Sequence, residues 1–269
     1  MFTYINPKIR DLLESKNTLY QIDKDGDLID DRNQNSITSG TSILGPIPLP
    51  IKTHNSKNSE ISTKWYACVS NTELNKIETL GAKLLEENEK ELFSSLASFM
   101  TVNNVLVIGD PSSWVNPLVR IHSTCMTGDI FGSMRCECGP QVQLAIEKIH
   151  EDKEGGLLIY MSGHEGRGIG IWAKAAAYLL QDTGQDTYQA NQSLGMEDDL
   201  RDFSNAATLL KHFISNQPFR LLTNNPKKIE DLKKFGITNA SRAKHIVGIN
   251  DCNRRYLEAK KKHGHEIEF

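Results

Sequence analysis

Cys125, Cys136 and Cys138 stand in the stretch RIHSTCMTGDIFGSMRCECGPQ with the spacing C-x10-C-x-C. Three thiols so placed suit one metal ion, and any fold the chain adopts must then bring them to a single point. Zinc takes four ligands in a tetrahedron; a structural site receives all four from protein, whereas a catalytic one keeps a position for water or substrate. Apart from His122, no fourth Cys or His lies at ligand spacing nearby. The spacing predicts one zinc per chain with an open position, and hydrolysis by metal-activated water as its chemistry. Closure of that position by His122 would instead make the metal structural.

The other totals narrow the setting. Five cysteines leave one unpaired in any disulfide scheme, and a tight cluster in a reducing compartment points to metal or catalysis. Cys68, within the apolar WYACVS, is assigned to the core. No apolar run approaches the roughly 18 residues of a membrane span, and no basic start precedes a short apolar stretch, so the expectation is a cytoplasmic protein with no membrane partner. A formal charge of −3 over 269 residues argues against the broad basic surface that nucleic acid requires, and favours an anionic small molecule.

Periodicity predicts an α/β fold with a layered, mixed sheet and flanking helices. Residues 1–64 are expected as an N-terminal extension and linker: a short amphipathic stretch, an Asp-rich segment DKDGDLIDDRNQNS and a polar connector GPIPLPIKTHNSKNSE. DKDGDLIDD lacks the Gly and Glu that a calcium loop needs and is assigned as a turn or solvated linker. Residues 65–269 are expected to form the catalytic domain, with strands at WYACVS, VLVIGD, GLLIYM and FRLL. Helices are expected over 71–99 from the stripe Leu74, Ile77, Leu80, Leu84 and Leu85, over 140–152 from Val142, Ala145, Ile146 and Ile149, then in IWAKAAAYLLQDTG, near 203–214 and in IEDLKKFG.

Three loops carry further chemistry. SGHEGRGIG opens a helix after a strand, so its glycines let backbone approach a ligand and its helix start favours an anion. Within it, Glu165 suits a guanine-like edge and Arg167 a phosphate. TNNPKK presents Thr223, two amides and Lys228 at another helix start, a phosphate-binding combination. EDDLRDF gathers Asp198, Asp199, Arg201 and Asp202 ahead of an apolar helical run, where capping alone would account for the acids.

In this order VRIHSTCMTGDIFGSMRCECGPQ, HEGRGIGIWAKAAAYLLQDTGQDT, ANQSLGMEDDLRDF and LLTNNPKK resemble the GTP cyclohydrolase II family over about residues 118–248, and more loosely through IVGINDCNRRYLEAKKKHGH. The resemblance implies zinc at Cys125, Cys136 and Cys138, and nucleotide contacts at Arg120, Ile121, His122, Ser123, Thr124, Gln141, Glu165, Gly166, Arg167, Thr187, Thr223 and Lys228. It implies Asp199 as proton acceptor, Arg201 as nucleophile on the α-phosphorus and Tyr178 beside the reacting ring. It further implies magnesium with the triphosphate, a homodimer, and opening of the imidazole ring of GTP, the first step of riboflavin synthesis, with release of formate and pyrophosphate. A guanidinium stays protonated and attacks poorly, so stabilisation of charge on phosphorus is the plainer role for Arg201.

The chain departs from the family pattern at three positions. Thr124 replaces a glutamate before the first cysteine, His164 a glutamine before Glu165, and Ala176 an arginine two residues before Tyr178. A branch resembling this family and linked to uracil catabolism is the alternative, as is a non-catalytic nucleotide-binding zinc protein. A zinc nucleobase deaminase would need H-x-E with P-C-x-x-C, and neither occurs.

Overall fold

The computed structural model describes residues 7–29, 40–53, 60–86 and 100–268. One mixed sheet runs through it: β1 (Leu19–Ile22), β2 (Thr41–Lys52), β3 (Glu60–Ser70), β4 (Asn103–Ile108), β5 (Leu118–Ser123), β6 (Gly156–Met161), β7 (Phe219–Leu222) and β8 (Ala240–Ala243). Their spatial order is β1-β2-β3-β4-β6-β5-β7-β8. The first four strands and β6 pair antiparallel, while β6, β5, β7 and β8 run parallel. The layered mixed sheet is the one the alternation of strands and helices predicts.

The helices are α1 (Pro7–Ser15), α2 (Asn71–Glu86), α3 (Met126–Asp129), α4 (Cys138–Glu151), α5 (Gly170–Asp182), α6 (Thr187–Ser193), α7 (Ser204–Ile214), α8 (Pro226–Lys234) and α9 (Arg254–Lys262). The expected helix over 71–99 is helical to Glu86, and 87–99 lie outside the described residues. Among the described residues no helix is long and apolar enough to cross a membrane.

Two apolar layers clamp the sheet. Val105, Val107, Val119, Ile121, Leu157 and Ile159 alternate onto one face, where Ala206, Leu209, Leu210 and Ile214 of α7 cover them. Ile108, Leu118, Leu158 and Leu222 point to the other face, against Ala145 and Ile149 of α4. The period of two along a strand thus places Ile121 in one layer and its neighbours Arg120 and His122 on the opposite side.

The N-terminal stretch differs from the linker expected there. Residues 45–52 of the supposed connector belong to β2, which pairs with β3 through Lys52↔Glu60, and the division expected after residue 64 falls inside β3. Pro48 and Pro50 disguise the strand because proline cannot donate to a ladder. They are accommodated since β1 pairs with Thr41–Leu44, and among the described residues the rest of β2 is an edge with β3 as its one neighbour. The Asp-rich segment begins as a turn in which Asp23 accepts from the backbone of Asp25 and Asp27; its residues 30–36 lie outside the described residues.

The topology also marks where a ligand belongs. After β5 the chain crosses through α4 to β6 on one side, and after β7 it crosses through α8 to β8 on the other. Loops leaving adjacent parallel strands in opposite directions open a crevice at their carboxyl ends. The residues found there are Ser123 to Cys125 and Thr223 to Asn225.

Candidate active site

The three cysteines converge in this crevice, their sulfurs all within 4.8 Å of one another. Cys125 and Cys136 Sγ lie 3.6 Å apart, close to the separation of about 3.8 Å that tetrahedral Zn–S bonds of about 2.3 Å impose. Cys125 follows β5, while Cys138 opens α4 two residues before the Pro140 that was expected to begin it. Gly128 makes the convergence possible: a Cβ there would stand 2.9 Å from Cys136 Sγ and 3.2 Å from Cys125 Sγ.

The ionisation of the trio favours a cation among them. The Cys136 and Cys138 thiols donate to Cys125 and, with Lys174, draw its pKa far down. Beside that anion the Cys136 thiol is pushed up to about 11, and the Cys138 thiol is also raised well above its ordinary value. Three thiolates in so small a volume need a divalent charge at their centre, so the donor set fits zinc.

His122 does not join them. Its Nε2–H donates to Asp129 at 3.0 Å, and burial lowers its pKa. The same carboxylate accepts from Tyr160 Oη at 2.9 Å and from the Cys125 backbone N–H at 3.0 Å, so Asp129 orients the first cysteine. Lys174 Nζ lies 3.1 Å from Cys125 Sγ, 3.0 Å from Thr127 Oγ1 and 2.7 Å from Glu165 Oε1. One helical turn on, Tyr178 Oη hydrogen-bonds with Thr127 Oγ1 at 3.2 Å, and the Arg135 guanidinium lies 4.3 Å over its ring.

The glycine-rich loop takes up 3-10 turns over Ser162–Gly168, with Gly166 and Arg167 both at positive φ, 60° and 66°. Left-handed backbone at a non-glycine residue is uncommon and gathers at functional sites. Glu165 turns inward: Oε2 accepts from Met126 N–H at 2.7 Å, and Oε1 accepts from Lys174. Both oxygens are thus engaged within the protein rather than held out to a base edge. Arg167 lies 4.1 Å over the Tyr188 ring.

A second loop packs against this one because Gly168 has no side chain; a Cβ there would meet Leu200 at 3.0 Å. Leu200 N–H donates to the Arg167 carbonyl at 2.9 Å, which sets Asp199 and Arg201 beside β5. Arg201 grips Asp199 through Nε at 2.8 Å and Nη2 at 2.5 Å. Although burial opposes it, this pairing brings the Asp199 carboxyl down to about 2. Arg201 Nη1 also lies 3.3 Å from Ser123 Oγ, which in turn lies 3.2 Å from His164 Nδ1. His164 Nε2 donates to the Asp202 carbonyl at 2.9 Å. That bond leaves Nδ1 as the acceptor, so Ser123 donates to His164 and accepts from Arg201.

Three cations remain. Arg120 donates to the Leu222 carbonyl and to Gln141 Oε1, both at 2.8 Å, with its Nε buried and unpartnered. Lys228 Nζ donates to the Ile121 carbonyl at 3.0 Å, and burial drives its pKa well down. Among the described residues, Arg120, Arg167 and Lys228 have no carboxylate within salt-bridge distance, whereas Arg135, Lys174, Arg201 and Lys260 each have one. All seven line the same cleft, with Ser123, Thr124, Gln141, Gly166, Tyr178, Thr187 and Thr223. Ile121 contributes only its carbonyl, and Asp199 stands behind Arg201.

The sequence profile of the GTP cyclohydrolase II family, compared with this chain, matches residues 94–244. The chain belongs to the GTP cyclohydrolase II family. A GTP cyclohydrolase-2 of Helicobacter pylori is 50% identical over 161 residues, which are 60% of this chain and 81% of that protein. One from Psychromonas ingrahamii is 50% identical over 155 residues, 57% of this chain and 76% of its own. The chloroplastic monofunctional riboflavin biosynthesis protein RIBA 3 of Arabidopsis thaliana is 48% identical over 167 residues, 61% of this chain and 32% of that longer protein.

Against the GTP cyclohydrolase II pattern, the three departures have distinct places. Thr124 lines the cleft and donates to the Met161 carbonyl at 2.7 Å, and His164 fixes Ser123. Ala176 is not among the residues of the cleft, although its neighbours Lys174, Ala177 and Tyr178 are. Sequence reasoning does not single out Lys174 and Arg135, nor Tyr256, Lys260, His265 and Ile267 from the C-terminal segment, yet all six line the cleft. Lys174 is signalled by standing four residues before Tyr178, on the same helical face; the C-terminal residues have no comparable cue.

Proposed function

We propose that the protein opens the imidazole ring of GTP by hydrolysis, releasing formate and pyrophosphate and leaving a diaminopyrimidine ribosyl phosphate, the first committed chemistry of riboflavin synthesis. The observation carrying this reading is the pairing of three converging thiols with cations that, among the described residues, lack carboxylate partners in one cleft. A cationic pocket of that kind is built for a polyanion, and its neighbour for hydrolysis. Family membership and the curated relatives named GTP cyclohydrolase-2 support the same assignment.

Cys125, Cys136 and Cys138 would hold one zinc ion, which when bound supplies the Lewis acidity that activates water toward the purine C8. Arg120, Arg167 and Lys228 bind the triphosphate, accompanied by magnesium, from the β5, glycine-loop and β7 sides; Gln141, Thr187 and Thr223 add polar contacts. Arg201, fixed by Asp199 and Ser123, faces the α-phosphorus and stabilises charge as pyrophosphate departs, a role its bidentate clamp suits better than attack. Asp199 stays ionised and accepts a proton nearby. Tyr178, oriented by Thr127 and Arg135, sits beside the ring. Glu165 contributes by holding Lys174 and the Met126 N–H in place.

The chain acts as a cytoplasmic homodimer in this reading. Exposed Ile130, Phe131, Trp172 and Leu179 lie on the two segments that Arg135 ties together, and they offer an apolar face for a second copy. Light scattering checks the dimer. The function is tested by incubating zinc-loaded protein with GTP and magnesium and resolving products by mass spectrometry. Formate, pyrophosphate and a diaminopyrimidine are expected, and unconverted GTP would refute the assignment.

A further inference from the structure

The chain beyond residue 244, past the stretch matched by the family profile, straps across the cleft. It leaves β8 through His245, whose N–H donates to Asn224 Oδ1 at 2.9 Å and whose Nε2 donates to the Gln141 carbonyl at 2.8 Å. It then runs past the start of α4, where Gly248 packs on Pro140. α9 follows, held to α6 by His263 stacked on Tyr188 at 3.5 Å. The strap returns to the β7 loop, where Glu266 N–H donates to the Asn224 carbonyl at 2.8 Å and Arg242 pairs with the Glu266 carboxylate.

Two side chains of the strap enter the cleft beside the groups already described. Lys260 packs half-buried against the buried Glu137, the residue between Cys136 and Cys138, and this ion pair latches the strap to the cysteine loop. His265 lines the cleft with its Nδ1 buried and without a hydrogen-bond partner among the described residues. A buried polar nitrogen lacking a partner carries a desolvation cost that only a ligand or water removes.

We infer that His265 is a further substrate-binding residue, donating from the C-terminal strap to a phosphate oxygen of the bound polyanion, with Lys260 as the positioning residue that holds the strap closed. This rests on the proposed function and extends its phosphate site. The surroundings agree with the role. Burial and then the charges of Lys260, Arg167, Arg201 and Lys228 hold the imidazole neutral, with its pKa brought down to about 3. A polyanion placed among those four cations offsets their field and gives the neutral ring an acceptor for its N–H.

The test uses the full-length, zinc-loaded protein and inorganic pyrophosphate with magnesium as the probe, followed by calorimetry and by the His265 ring resonances. His265→Ala should weaken pyrophosphate binding about tenfold and raise KM for GTP while kcat changes little. His265→Gln, which keeps a polar donor of similar length, should recover part of the loss. Lys260→Met should expose the strap to limited proteolysis and weaken pyrophosphate binding in parallel. Wild-type pyrophosphate affinity in His265→Ala, with ring resonances unmoved by pyrophosphate in the parent, would overturn the inference. So would a loss matched by lower melting temperature in both His265 variants, which would make the residue a packing element. Failure to convert GTP alongside His265-dependent pyrophosphate binding would instead reject the proposed function and leave this site standing.

Discussion

Gly128→Ala isolates the metal site from the fold. Gly128 lies in α3 and is not among the positive-φ glycines, so alanine suits its backbone and slightly favours the helix. The added methyl would stand 2.9 Å from Cys136 Sγ, 3.1 Å from Cys138 Cβ and 3.2 Å from Cys125 Sγ. Ordinary contact is about 3.5–4 Å, so at least one sulfur must retreat by roughly half an ångström or more. A free thiol can do so by rotating, and the metal-free protein should change in stability by less than about 1 kcal/mol. A zinc ligand cannot, because metal distances tolerate only about 0.2 Å. Zinc affinity should fall by at least roughly a hundredfold, beyond what loss of a supporting contact produces, and GTP turnover should fall with it. The assay compares zinc per chain after dialysis against a graded chelator series with the melting temperature of the metal-free protein. Parental zinc retention in Gly128→Ala would refute the placement of the three sulfurs.

Lys228→Met removes a buried amine that has no carboxylate partner among the described residues, so it should stabilise the empty protein by about 1 kcal/mol while weakening GTP binding more than tenfold; a lower melting temperature with intact affinity would contradict the reading. Asp199 carries the pH dependence: its carboxyl sits at about 2 against an ordinary 3.8, so its pairing contributes up to about 2 kcal/mol that is complete above pH 4 and lost as pH falls toward 2. Asp199→Asn should abolish that portion of the acid dependence in denaturant unfolding, and superimposable acid profiles would exclude it. His164→Gln keeps an acceptor for Ser123 and should stay within about threefold of parental turnover, whereas His164→Phe should cost about 1–3 kcal/mol in stability or transition-state binding. Equal behaviour of the two in steady-state kinetics and thermal melts would show that the Ser123 contact is idle.

Elements whose signal is local are legible in the residues themselves. GLLIYM and FRLL coincide with β6 and β7, because short apolar runs bounded by turns leave few alternatives. The face of α4 through Ala145 and Ile149 also packs as its spacing predicts. β2 is hidden by its prolines, whose tolerance depends on where β1 stops, a fact of pairing rather than of local sequence. The inward turn of Glu165 is hidden too, because Lys174 and Met126 become its partners only when α5 and α3 pack against the glycine loop.

The order of residues alone determined which groups this protein can bring to a reaction: three thiols spaced for one ion, a glycine-rich loop at a helix start, and cations gathered at loop positions. Those follow from covalent spacing and from the periods of helix and strand, which any fold must respect. Only the tertiary structure decided which charges are free. Carboxylates 9, 47 and 123 residues away neutralise Lys174, Arg135 and Lys260, while among the described residues Arg120, Arg167 and Lys228 have no such partner. The same packing carries His265 from the end of the chain into the cleft. Charge compensation acts over a few ångströms of space, and that separation is set by packing rather than by distance along the chain.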